Sequence, residues 1–146
     1  MFLKLSLILI IIVCLVLLIK PTKQQSTPAI DITLKDETFS LEIAKSAIQK
    51  SRGLSNRNSL CPNCGMIFIY RIESIYPFWM KNTLIPLDII WIDKNGTIVD
   101  IIQGKPNNLS ILTPKSPALY IIELNKDTST NLNLNIGDYI QIPENI

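Results

Sequence analysis

The stretch that decides the fold is residues 78–102, FWMKNTLIPLDIIWIDKNGTIVDII. Short apolar runs rich in Ile and Trp alternate here with turn residues, a composition typical of β-strands. Asn95-Gly96 lies between two such runs, and this dipeptide is a strong signal for a tight β-hairpin. We therefore predict strands at FWMK and LDIIWI and a return strand at TIVDII.

The flanking sequence extends the same pattern in both directions. Upstream, IDITL (30–34) and FSLEIA (39–44) alternate apolar and polar residues and predict a hairpin, and MIFIY (66–70) has strand composition. Helix formers at 45–54 predict one short helix. Downstream, ALYIIEL and the C-terminal residues predict two more strands, with a helical turn between them. The expected fold is mainly β (α+β), a single compact β-barrel or β-sandwich of about seven strands.

The first 20 residues have a different character. Leu5–Ile19 is almost unbroken aliphatic sequence that, with its neighbours, just reaches the length of a membrane-spanning helix. No small-x-small cleavage site follows closely, so residues 1–20 are predicted to be an uncleaved signal anchor. Residues 21–29 contain two prolines and predict a linker, which leaves 30–146 as the domain. We expect this domain to be membrane-anchored and extracytoplasmic, or secreted if the signal is cleaved.

Charge and composition exclude several classes of function. From Gln24 onward, 11 Lys and Arg accompany 12 Asp and Glu, a net charge of −1 with no basic stripe, so no nucleic-acid partner is predicted. The chain contains no histidine, which removes Ser-His-Asp and Cys-His catalysis. Its five glycines are scattered and form no phosphate-binding loop. We predict no cofactor.

Cys61 and Cys64 form the motif CPNC, for which three roles can be weighed. Zinc needs about four ligands, and the third cysteine, Cys14, lies in the apolar segment, so no metal is predicted. A redox Cys-x-x-Cys pair places its first cysteine at a helix N-terminus, whereas a strand follows this pair. A structural disulfide is favoured, since an exported domain permits oxidation. A thiol-disulfide function stays open as an alternative.

Two acids interrupt predicted strands that are otherwise apolar, Asp88 in LDIIWI and Glu123 in YIIELN. A buried carboxylate needs a partner, and Lys81 and Arg52 are the candidates for Asp88. One interpretation is a structural ion pair. The other is a polar cluster at the mouth of a β pocket, with Trp79 as a wall on which a ligand stacks.

Five motifs in this order resemble the DUF192 family: SRGLSNRNSL, GMIFIY, FWMKNTLIPLDIIWIDKNGTIVDI, YIIELN and IGDYI. The resemblance covers roughly residues 30–142. It implies a small, mainly β domain and no established activity. The positions that match the polar pattern of the family are Arg52, Gly53, Lys81, Asn82, Asp88, Glu123, Gly137 and Asp138. The chain departs from that pattern at Ser55 and at the cysteine pair, which therefore resembles a local addition.

These observations favour a binding or accessory domain over an enzyme. The predicted ligand is a small molecule, a sugar or a peptide, and the predicted partner of the N-terminal helix is the membrane. A hydrolase or lyase that uses a Lys/Asp pair is the enzymatic alternative. The candidate binding residues are Arg52, Trp79, Lys81, Asn82, Asp88, Glu123 and Asp138.

Overall fold

The structure, a computed structural model, describes residues 28–144 and residue 146. The predicted anchor (1–20) and nearly all of the predicted linker lie outside the described residues. Neither helix among the described residues has the length and apolar character needed to cross a bilayer. The described elements are β1 (Ala29–Leu34), β2 (Glu37–Ala44), α1 (Ala47–Arg52), β3 (Cys64–Ser74), β4 (Leu87–Ile92), β5 (Ile98–Gly104), β6 (Ala118–Asn125) and α2 (Thr128–Asn131).

The six strands form one mixed sheet in the order β1-β2-β3-β6-β4-β5. β2 and β3 run parallel, with α1 in the connection between them, and the other neighbours are antiparallel. The prediction of a mainly β domain with a short helix is confirmed. The prediction of a compact β-barrel or β-sandwich is wrong, because the described strands form one open sheet with β1 and β5 as its edges.

Both faces of the sheet are covered by the domain's own chain, which explains why the sheet need not close. All six residues of β4 are buried, and their side chains point alternately to the two faces. On one face the apolar cluster is completed by Leu134 and Ile140 from the C-terminal segment. On the other face it is completed by Leu54, Met80 and Ile85 from the connections after α1 and β3.

Two predicted strands are absent from the sheet. Residues 78–81 are irregular, and Phe78 makes only an isolated antiparallel bridge with Leu112. Asn82 directly afterwards has a positive φ of 56°, a left-handed conformation that ends an extended run. The C-terminal segment likewise makes only one bridge, between Tyr139 and Thr97. Both segments cover the sheet instead of extending it.

The turn between β4 and β5 forms where Asn95-Gly96 predicts it. The Asp93 carboxylate accepts hydrogen bonds from the backbone N–H groups of Asn95 and Thr97, at 2.9 and 2.8 Å. Gly96 has a φ of 87°, and a Cβ there would lie 2.5 Å from the carbonyl oxygen of Ile140. Glycine is therefore required both by the backbone conformation and by the close passage of the C-terminal segment.

Replacing Gly65 by alanine is expected to destabilise the domain by about 2–4 kcal/mol, because the added methyl group overpacks a central strand. A Cβ at this position would lie 2.5 Å from the carbonyl oxygen of Glu123 and 2.7 Å from the Leu41 side chain. Urea unfolding measures the loss. Ser74→Ala, at the exposed end of β3, is the control and should change stability by less than about 0.5 kcal/mol. An equal effect of the two variants would contradict the argument.

Candidate functional site

A cavity of about 100 Å³ opens beside the end of α1. Residues 50–55 form one side of it, and the aromatic side chains of Phe68, Phe78 and Trp79 form much of the rest. Glu123, from β6, contributes a carboxyl group that is only 5% exposed. We call this space the Glu123 cavity. Among the described residues that line it, Glu123 is the only one with a carboxyl side chain.

The local sequence explains why the wall of the cavity has its shape. Ser46 caps α1 in a capping box, since its hydroxyl accepts from the backbone of Gln49 and the Gln49 side chain accepts from the backbone of Ser46. The helix ends at Gly53, whose φ of 50° and ψ of −137° are accessible essentially only to glycine. A Cβ on Gly53 would lie 3.5 Å from Oε2 of Glu123. The Gly53 backbone therefore packs directly beside the carboxyl group.

The Glu123 carboxyl group is incompletely satisfied by the protein. Oε2 is buried and has no hydrogen-bond partner among the described residues. Burial raises the pKa of Glu123 to about 8, while the backbone N–H of Leu54 and the charge of Arg57 act in the opposite direction. The group is therefore largely protonated at neutral pH. A neutral carboxyl group can both donate and accept a hydrogen bond, which gives the cavity a ready polar anchor.

Aromatic and cationic side chains surround the opening. Trp79 is half exposed, and the Nζ atom of Lys81 lies 5.1 Å from the centre of its ring. Lys50 places its Nζ atom 3.8 Å from the centre of the Tyr70 ring. Arg52, the last residue of α1, lines the cavity and is exposed. The opening thus combines an accessible aromatic face with positive charge.

Two loops are joined by hydrogen bonds beside the cavity. The N–H of Asn56 donates to the carbonyl oxygen of Asn82 at 2.7 Å. The hydroxyl of Ser55 donates to the carbonyl oxygen of Lys81 at 3.4 Å. The family-like residues Lys81 and Asn82 therefore shape the loop through their backbones. Ser55, where the chain departs from the family pattern, supplies one of these contacts.

The structure does not bring all the predicted site residues together. Arg52, Trp79 and Glu123 line the cavity, and Lys81 and Asn82 lie in the adjoining loop. Asp88 and Asp138 do not line it. In the pairing of β4 with β6, Ile89 is opposite Glu123, so the neighbouring Asp88 points to the other face of the sheet.

Asp88 is fully buried and binds the start of α2. Its carboxylate accepts hydrogen bonds from the backbone N–H groups of Asp127 and Ser129, at 3.2 and 2.8 Å, and from the Ser129 hydroxyl at 2.5 Å. The expectation that Lys81 or Arg52 would be its partner is therefore wrong. The apolar neighbours of Asp88 in β4 indicate that its carboxylate needs a partner. Its donors are backbone N–H groups about 40 residues further along the chain, and no sequence pattern identifies them.

Asp138 also has a structural environment. Its carboxylate forms an ion pair with Lys35 at 2.8 Å and accepts from the backbone N–H of Asn135 at the same distance. These contacts lower the pKa of Asp138, with the hydrogen bond from Lys35 as the largest cause. They connect the β1–β2 turn to the C-terminal segment.

Sequence reasoning missed several residues of the cavity. Lys50, Phe68, Tyr70 and Thr83 all line it. The alternation of MIFIY places Phe68 and Tyr70 on the same strand face as Met66, and this periodicity was the available signal. No sequence pattern pairs Lys50 with them, because that contact depends on how α1 packs beside β3.

Cys61 and Cys64 form a disulfide with a Cα–Cα distance of 5.1 Å. The loop is also attached to the sheet, since the Asn125 side-chain amide donates to the carbonyl oxygen of Cys61 at 2.9 Å. Neither cysteine is among the described residues that line the Glu123 cavity. The bond lies at the start of β3, consistent with a structural role.

The double substitution of Cys61 and Cys64 by serine is expected to cost no more than about 2 kcal/mol, since the loop closed by the disulfide is very short. Asn125 still holds the loop in the variant. Chemical unfolding, with and without a reductant, measures the difference. A much larger loss, or a disulfide that the compartment's thiols reduce readily, would instead favour the thiol-disulfide hypothesis.

The fold and cavity together define a class, a small α+β domain with an open six-stranded sheet and one buried carboxyl group facing a cavity. The chain belongs to the DUF192 family, whose model, described as "Uncharacterized ACR", matches residues 30–142. The family resemblance of the sequence is thereby confirmed.

Relatives share the family without supplying a function. The chain is 32% identical to a UPF0127 protein of Pyrococcus horikoshii over 106 residues, 69% of this chain and 85% of that protein. It is also 32% identical to a UPF0127 protein of Thermococcus gammatolerans over 105 residues, 68% of this chain and 64% of that protein.

Two crystal structures have a similar fold. One is a Sinorhizobium meliloti 1021 protein described only provisionally as a transcription regulator, with a TM-score of 0.70 and 32% identity, covering 76% of this chain and 88% of that one. The other is a protein of unknown function from Novosphingobium aromaticivorans DSM 12444, with a TM-score of 0.72 and 26% identity, covering 84% of this chain and 90% of that one.

Proposed function

We propose that this domain binds one sugar unit of a small saccharide in the Glu123 cavity. The observation that carries the proposal is the buried Oε2 atom of Glu123, which has no protein partner among the described residues and belongs to a residue that lines the cavity. A buried polar atom without a partner costs free energy, and a ligand hydroxyl supplies the missing hydrogen bond.

The composition of the cavity favours a sugar over other small ligands. A sugar hydroxyl both donates and accepts hydrogen bonds, as does a protonated carboxyl group. The half-exposed ring of Trp79 offers an apolar face next to that polar group. A cavity of about 100 Å³ corresponds to roughly three water molecules at about 30 Å³ each, so it admits the hydroxyl-bearing edge of a sugar ring rather than a large ligand. An extended peptide would add to an open strand edge, and no residue of the edge strands β1 and β5 lines the cavity.

The number of carboxyl groups in the cavity favours a binding role over glycoside hydrolysis. Glycoside hydrolases use a pair of carboxyl groups on either side of the scissile bond. Among the described residues, the cavity has Glu123 alone, and Asp88 faces the other side of the sheet. The enzymatic alternative that paired Lys81 with Asp88 therefore lacks its geometry.

We also propose that the domain works outside the cytoplasm. The support is the apolar segment Leu5–Ile19 in the sequence, together with the Cys61–Cys64 disulfide, a bond that persists in oxidising compartments. An anchored domain of this kind would meet saccharides at the cell surface.

Replacing Trp79 by alanine is expected to weaken sugar binding by about tenfold, because the ligand loses its stacking surface. The test titrates the full chain with a panel of neutral monosaccharides and follows tryptophan fluorescence, with fully buried Trp91 as the unperturbed second fluorophore. Thermal shift provides an independent readout for the variants. Tyr139→Ala is the matched control, since Tyr139 is 70% exposed and is not among the residues that line the cavity.

Two outcomes would refute the proposal. One is the absence of any response to sugars at millimolar concentration. The other is an equal loss of affinity in the Trp79 and Tyr139 variants, which would place the sugar outside the cavity.

A further inference from the structure

A second concave surface, of about 450 Å³, adjoins the Glu123 cavity. The two spaces share the lining residues Lys50 and Tyr70. We call the second surface the basic groove. It is lined by Lys45, Lys50, Ile69, Tyr70, Arg71 and Ile146.

The groove lies where β3 extends beyond the end of its neighbour β2. β2 ends at Ala44, which pairs with Phe68, and β3 continues to Ser74. Lys45 follows the end of β2 directly, and Arg71 belongs to the part of β3 that β2 no longer covers. The chain thus places cationic side chains around an open notch in the sheet.

These cations have no acidic partner within the part of the chain that the structure describes. The three ion pairs found there join Lys35 with Asp138, Arg57 with Glu42, and Lys126 with Asp127. Lys45, Lys50 and Arg71 take part in none of them. Partial burial and the neighbouring charge of Arg71 lower the pKa of Lys50, in that order of importance.

Lys45 and Arg71 are exposed and Lys50 is half-buried, so the groove presents accessible positive charge that attracts an anion. An anionic group in the groove would neutralise Lys50 and Arg71 through charge-assisted hydrogen bonds. Lys50 lines both spaces, so an anionic group that binds Lys50 in the groove would lie next to a sugar ring in the Glu123 cavity.

We propose that the ligand is an acidic saccharide, with its sugar ring in the Glu123 cavity and its anionic group held by Lys50 and Arg71 in the basic groove. This inference rests on the proposed function. It defines the ligand by its chemistry, a sugar that carries a carboxylate or a phosphate.

The test compares sugars that differ only at one carbon. Isothermal titration calorimetry of the full chain uses D-galacturonate with D-galactose, and D-glucuronate with D-glucose. We expect at least one acid to bind about tenfold more tightly than its neutral counterpart, the effect of one charge-assisted hydrogen bond. Galactose 6-phosphate and glucose 6-phosphate show whether a phosphate replaces the carboxylate, and tighter binding of either also supports the proposal.

Variants assign the effect to the groove. Arg71→Gln is expected to lower the affinity for the acid about tenfold and to leave the affinity for the neutral sugar unchanged, since Arg71 lines only the groove. Lys50→Gln should lower the affinity for the acid more than the affinity for the neutral sugar, because Lys50 lines both spaces. Lys94→Gln, a lysine in the β4–β5 turn that lines neither space, should change neither affinity. Raising the salt concentration should weaken binding of the acid selectively.

The failures are distinguishable. Equal binding of acidic and neutral sugars, with no effect of Arg71→Gln, would overturn the acidic ligand and leave the sugar site intact. Binding of a glutamate-rich peptide or of anionic vesicles in place of every sugar would overturn both proposals, as would the absence of binding to any sugar.

Discussion

Glu123→Gln is expected to remove most of the pH dependence of stability between about pH 5 and pH 8. The pKa of Glu123 rises from an ordinary value of 4.5 to about 8 in the folded state because the carboxyl group is buried. Between these values the folded chain holds a proton that the unfolded chain has released. The free energy of unfolding therefore falls as the pH rises, by up to about 1.4 kcal/mol per pH unit in this interval.

Glutamine keeps the shape of the side chain and does not titrate, so the variant should be the more stable protein at pH 8. Urea unfolding at a series of pH values measures the slope. The chain has no histidine, which leaves few other side chains to titrate in this interval. Glu37→Gln, at an exposed position of β2, is the control and should keep the wild-type slope. A wild-type stability that does not change between pH 5 and pH 8 would show that the carboxyl group is not buried as described.

Whereas Glu123→Gln should stabilise the domain at pH 8, Asp88→Ala is expected to destabilise it by about 3–5 kcal/mol at neutral pH. The substitution leaves the backbone N–H groups of Asp127 and Ser129 without their acceptor, and the Ser129 hydroxyl loses its partner as well. Asp88→Asn keeps one acceptor oxygen but turns an amide N–H₂ group toward the same donors, so about 2–4 kcal/mol should be lost.

Asp127→Asn is the matched control for these variants. Its side chain is at the surface, where it forms an ion pair with Lys126 at 3.7 Å and accepts from Gln103. Such a surface contact contributes about 0–1 kcal/mol. Asp88→Asn should also bind the ligand normally wherever it stays folded, since Asp88 faces away from the cavity. Loss of binding without loss of stability would place Asp88 in the site after all.

Much of the fold could be predicted because its signals are local. The alternation in FSLEIA, the apolar run LDIIWI and the Asn95-Gly96 turn each identify an element that the structure contains. The strand predicted at FWMK is absent. Bulky aromatic residues are typical of strands, but they are equally suited to an irregular segment that packs over a sheet, as this one does. Whether the sheet closes depends on how Leu54, Met80 and Leu134 cover its two faces, which the periodicity of a strand does not show.

The site was predictable only in part, for a related physical reason. An acid in an apolar strand is conspicuous, so Asp88 and Glu123 both stood out. The sequence does not show which one is satisfied by the protein, because the donors to Asp88 come from α2 and the surroundings of Glu123 come from the end of α1. The basic groove was missed since Lys45, Lys50 and Arg71 converge only when β2 ends before β3.

The opposite orientations of Asp88 and Glu123 also bear on how the chain avoids misfolded pairings. β4 and β6 are apolar on both faces, so their hydrophobic residues would tolerate a slip of one residue almost equally well. Such a slip would turn Asp88 away from the N–H groups of α2 and Glu123 into the aliphatic core on the other side. Each slipped pairing would bury a carboxyl group among hydrocarbon side chains, at a cost of several kcal/mol. Two acids that weaken the apolar character of the central strands therefore give them a single alignment.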